Sequence, residues 1–115
     1  TGANMSYSGR PYFNIPRPLR LKGFADSETL AGGKSLVARD SMIQMLDPDG
    51  SSRDIILPAD QDGLIYFIKN TASTGTADVV IKDQTSPAIT IAKCENGETA
   101  LVVCGAGGWF EVFKA

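Results

Sequence analysis

Apolar and polar residues alternate in short runs over most of the chain, and Gly, Pro, Asp or Asn interrupts each run. A period of two puts successive side chains on opposite faces of a strand, whereas an amphipathic helix needs a period near 3.6. The pattern predicts strands over 35–38, 41–46, 53–57, 63–69, 77–82, 88–92, 98–104 and 109–114, with Leu19, Leu21 and Phe24 beginning an earlier one. The run LIYFIK is rich in the β-branched and aromatic residues that suit a pleated surface. In the last run Trp109, Glu111 and Phe113 alternate against Phe110 and Val112. No stretch of ten or more residues has helical periodicity. Residues 26–46 are the least defined; ADSETLAGGKSL has room for one helical turn before Gly32-Gly33 breaks it. The expected fold class is therefore all-β: a single β-sandwich or barrel-like domain of about 8–9 short antiparallel strands.

The first 24 residues differ from the rest. Pro11, Pro16 and Pro18 each remove a backbone donor and push the preceding residue toward extended geometry. This spacing suits an extended N-terminal arm over 1–24, followed by a β body over 25–115. Charge follows the same division. The arm carries Arg10, Arg17, Arg20 and Lys22 and no acid, giving +4, while the body holds 7 basic residues and all 13 acids, giving −6. A basic arm on an acidic body, with Tyr7, Tyr12, Phe13 and Ile15 in the arm, points to docking on another protein surface. Arg10, Tyr12, Phe13, Arg17 and Arg20 are the expected partner-binding residues. Four basic residues make few phosphate contacts and the body repels a duplex, so nucleic acid is not the expected partner. No apolar run is long enough for a membrane-spanning helix, and the start of the chain lacks a signal-peptide pattern, so the expectation is folding in a cytosol.

The 115 residues are enough for one core, and 43% hydrophobic with 21% charged residues is ordinary for a globular chain. There is no histidine, which removes the commonest general base and the commonest neutral metal ligand. The expectation is a protein that is not an enzyme and uses no cofactor or metal. The loop DPDGSSRD opens like a calcium loop at Asp47, Asp49 and Gly50, but Pro58 stands where the bidentate glutamate belongs. It reads as a β-turn. The glycines of CGAGG precede a strand rather than a helix, so they read as a tight hairpin rather than a phosphate cradle. The two cysteines, Cys94 and Cys104, lie in AITIAKCENGETALVVC, which reads as a hairpin turning at Asn96-Gly97. In that register the sulfurs are roughly 17 Å apart, too far for a disulfide, so two buried thiols are expected.

From Arg53 onward the motifs Leu57-Pro58, Lys69-Asn70-Thr71, Gly97-Glu98 and Gly108-Trp109 recur in order at the ends and starts of strands. This half of the chain resembles a β-module found in tailed-phage virion proteins: capsid decoration (cement) proteins and head or tail fibres. The module usually has Thr or Asn between the last Gly and the Trp, where this chain has Gly107-Gly108 directly before Trp109. The resemblance implies a structural virion protein that assembles as a homotrimer and binds the major capsid protein on the outer capsid surface, after synthesis in the host cytoplasm. The short length suits a decoration protein; the alternative is the receptor- or glycan-binding tip of a fibre.

Overall fold

The computed structural model describes residues 25–115, so the proposed arm over 1–24 lies outside the described residues. Nine strands and no helix make up the described part: β1 (Ala25–Thr29), β2 (Lys34–Ser35), β3 (Ile43–Asp47), β4 (Arg53–Ile56), β5 (Ile65–Asn70), β6 (Val79–Lys82), β7 (Thr90–Cys94), β8 (Thr99–Gly105) and β9 (Gly108–Lys114). The all-β expectation holds. The region over 26–46 contains β1, β2 and β3 and no helical turn.

The strands form a five-stranded sheet, ordered β1-β3-β5-β8-β9, and a four-stranded sheet, ordered β2-β4-β6-β7. Through β6 the chain changes sheet at every strand, and each strand pairs in parallel with the one two places earlier. The remaining pairs, β5–β8, β6–β7 and β8–β9, are antiparallel. The expectation of antiparallel strands is thus corrected to a mixed topology. The physical reason is that alternation fixes which face a side chain takes but not which strand lies beside it.

One core lies between the two sheets. Leu46, Tyr66, Ile68, Ala100 and Val102 enter it from one sheet, and Ile55, Val79, Ile81, Ala92 and Cys94 from the other. Trp109 closes one end, with its ring centroid 5.9 Å from that of Tyr66 and its Nε1–H donating to the Pro58 carbonyl at 3.1 Å. The Tyr66 hydroxyl donates to the Val37 carbonyl at 2.8 Å, so both buried aromatics place their polar ends on backbone oxygens.

The predicted hairpin at Asn96-Gly97 does not form: β7 lies in the four-stranded sheet and β8 in the five-stranded one. Asn70 explains the crossing. Its Nδ2 donates to the Cys94 carbonyl at 3.0 Å and to the Ala77 carbonyl at 2.9 Å. Its backbone N–H donates to Glu98 O and its carbonyl accepts from Gly97 N. The turn itself closes, with Glu98 N donating to the Glu95 carbonyl at 2.9 Å, but the Glu98 carbonyl, which a hairpin would pair with Glu95 N, is taken by the end of β5. The expected thiols are present, both buried, but they are held on different sheets rather than spaced along one hairpin.

The glycines at 105–108 do form a tight hairpin. Ala106 and Gly107 both have positive φ, 51° and 84°, between paired Gly105 and Gly108. The loop at Asp47 is also a turn: the Asp47 carboxylate accepts from the Asp49 N–H at 2.9 Å, and Arg53 Nε donates to the Pro48 carbonyl.

Candidate functional site

The central strands of the five-stranded sheet, β5 and β8, carry apolar residues on both faces. Along β5, Tyr66 and Ile68 are buried toward the core, while Ile65 and Phe67 point the other way. Along β8, Ala100, Val102 and Cys104 face the core, leaving Leu101 and Val103 outside. A strand that is apolar at consecutive positions is suited to cover on both sides, not to one wet face.

Register assembles these outward residues into rows. Ile43 pairs with Phe67, Phe67 with Leu101, and Leu101 with Phe113, so one apolar row crosses four adjacent strands. A second row joins Ile65, Val103 and Phe110. Neither row contains a charged residue. Met45, Lys69 and Thr99 form the row on the other side. A shallow groove of about 340 Å³ runs here, lined by Met42, Ile43, Met45, Phe67, Lys69 and Thr99.

A β-bulge completes the face. Simple alternation would put Phe113 on the same face as Trp109, which is buried on the core side. The β8–β9 register shifts between Leu101 and Val102, so that Val102 pairs with Glu111 and Leu101 with Phe113. Val112 is the extra residue, and Phe113 joins Phe110 on the outer face. Phe110 and Phe113 remain 49% and 48% exposed.

The four-stranded sheet has a different outer surface. Its rows Asp54–Val80–Lys93 and Ile56–Lys82–Thr90 mix polar and apolar side chains, and Lys82 Nζ lies 3.0 Å from Asp54 Oδ2. That face is made for water. Among the described residues β1 is an edge of the five-stranded sheet, and its surroundings are also polar. Lys34 reaches across to Asp26 at 3.4 Å, Glu28 at 2.6 Å and the buried Gln44 Oε1 at 3.2 Å. Burial opposes the charge on Lys34, but Glu28 and Asp26 outweigh it and raise its pKa.

Reactive chemistry is weak among the described residues. Burial, with Glu98 adding to it, pushes the Cys94 thiol up to about 11. It is buried, with its S–H directed at the Ile68 carbonyl at 3.6 Å. Such a thiol is a poor nucleophile. A second groove, lined by Gly75, Thr76, Asp78, Glu95, Asn96 and Glu98, is acidic. Glu98 is already engaged by the Glu95 N–H at 2.8 Å and by Lys114 at 3.7 Å. No group of three or more Cys, Asp or Glu side chains among the described residues is placed to hold a metal ion.

The sequence-derived candidates Arg10, Tyr12, Phe13, Arg17 and Arg20 all lie outside the described residues. The apolar face was not among those candidates, since alternation does not tell an outward apolar residue from a core one. The available signal was the doubled apolar pattern of LIYFIK and TALVVC. No family model matches the chain, and neither does any curated protein or solved structure.

Proposed function

We propose that this chain is a structural, non-catalytic subunit that works by binding other proteins, and specifically a capsid decoration protein that sits as a trimer on the outer surface of a phage capsid and reinforces it. The observation that carries the binding reading is the pair of uncharged apolar rows on the outer face of the five-stranded sheet, with Ile43, Phe67, Leu101 and Phe113 in one of them. A contiguous apolar patch of this kind marks an interaction surface. The decoration role and the trimer rest on the resemblance of residues 53–115 to phage virion modules. The basic charge and aromatic content of residues 1–24 support a second contact, between that segment and an acidic partner surface. Two contacts on one chain, repeated in three copies, raise occupancy through effective concentration.

Co-sedimentation with capsids of the encoding phage tests this. The full chain is expected to pellet with capsids. A variant lacking residues 1–20 is expected to stay folded, by circular dichroism, and to lose capsid binding. Unchanged occupancy in that variant would overturn the role given to Arg10, Tyr12, Phe13, Arg17 and Arg20. A full chain that ignores capsids but binds host glycans would replace decoration with the fibre-tip alternative.

A further inference from the structure

We infer that the outer face of the five-stranded sheet is the surface on which copies of this chain meet one another. This rests on the reading of the chain as a subunit-binding structural protein and names the partner for one of its two contacts. Size is the first argument. Ile65, Phe110 and Phe113 are 41%, 49% and 48% exposed, and Val112 at the adjoining edge is 55% exposed. With half-buried Ile43, Met45, Phe67, Leu101 and Val103 beside them, the patch offers roughly 600 Å² of apolar surface, at the top of the range for a monomer. A standard interface buries about 800 Å² per partner, so the patch supplies most of one side.

Charge is the second argument. Residues 25–115 hold 7 basic residues against 13 acids, a net −6. Identical bodies therefore repel over most approaches. The rows through Ile43 and Ile65 carry no charge, and the neighbouring row contributes Lys69. Two copies meeting here bring no carboxylate of those rows against another and desolvate few polar groups. Val112 is the third argument. By taking up the extra position opposite Val102, it turns Phe113 outward beside Phe110, giving the β9 edge two aromatic anchors of the type that dominates interface energetics.

Sedimentation velocity on the full chain at several concentrations reads the assembly state. The wild type is expected to be an oligomer. Phe110→Lys and Phe113→Lys are each expected to weaken self-association about tenfold to a hundredfold, the effect of burying one large apolar side chain. Phe113→Ser provides a milder variant. Ile89→Lys, at an exposed apolar residue beyond these rows, is expected to leave the oligomer intact. Thermal unfolding by circular dichroism confirms that each variant is folded. A monomeric wild type, or an oligomer that persists in folded Phe110→Lys and Phe113→Lys, overturns the inference. Capsid co-sedimentation separates the two readings: a monomeric wild type that binds capsids through this face overturns self-association while leaving the decoration role standing.

Discussion

Asn70 shows how one side chain sets the path of the backbone. It is fully buried, yet each side-chain polar atom has a partner: Nδ2 bonds Ala77 O and Cys94 O, and Oδ1 accepts from Ala72 N at 3.0 Å. Removing the amide leaves those backbone groups without their partner in a dry site. Asn70→Ala is expected to destabilise the fold by about 3 kcal/mol in urea unfolding; a loss under 1 kcal/mol would mean water replaces the amide. Cys94 makes a second residue-scale prediction. The folded chain holds its thiol proton up to about 11, against an ordinary value of 9.0. The unfolded state therefore loses that proton first. The contribution is full below pH 9 and disappears as pH rises through 11. The expected result is an unfolding midpoint that falls as pH rises from 9 to 11, with a shallower fall in Cys94→Ala. Tyr66, whose hydroxyl is also raised by burial, adds to the fall in both proteins. Neither thiol is expected to react in the native protein near neutral pH. After denaturation both should label equally with and without reductant.

At the scale of elements, hydrophobic alternation located most strands within a residue or two but not their partners. β5, β6, β8 and β9 were legible because LIYFIK, DVVIK, TALVVC and WFEVF are dense in β-forming residues. β1 was not, because ADSET has no apolar residue after Ala25 and so no alternation to read. Among the described residues it is an exposed edge strand tied to its sheet by parallel pairing with β3 and by Lys34 from β2. The crossing between β7 and β8 was hidden for another reason: Asn-Gly signals a turn, which does form, but the strands on either side go to different sheets, joined across the gap by the long-range bonds of Asn70. The bulge at Val112 was likewise invisible, since register comes from the partner strand. The β8–β9 hairpin was legible, and it contains a residue poorly matched to its geometry. Ala106 holds φ 51°, where a side chain without a local hydrogen bond is strained. Ala106→Asn, giving Asn-Gly in the turn, is expected to stabilise the fold by about 0.5–1 kcal/mol in urea unfolding. No gain would mean the turn relaxes around Ala106.

On the scale of the whole molecule, the two sheets divide two tasks. The four-stranded sheet presents a mixed, ion-paired surface to water, while the five-stranded sheet presents apolar rows on its outer side as well as its inner one. The described residues thus place the proposed binding surface on the five-stranded sheet, and the sequence adds a basic segment before it. Much of the β architecture could be read from the chain alone; the candidate site could not, because it exists only where Ile43, Phe67, Leu101 and Phe113, far apart in sequence, are brought into register. A cryo-electron reconstruction of the assembled particle tests the central claim most directly. The account predicts bodies clustered in threes on the outer capsid surface, with the row Ile43–Phe67–Leu101–Phe113 buried between subunits. Particles without this protein on their shell, or with that row facing solvent, would contradict it.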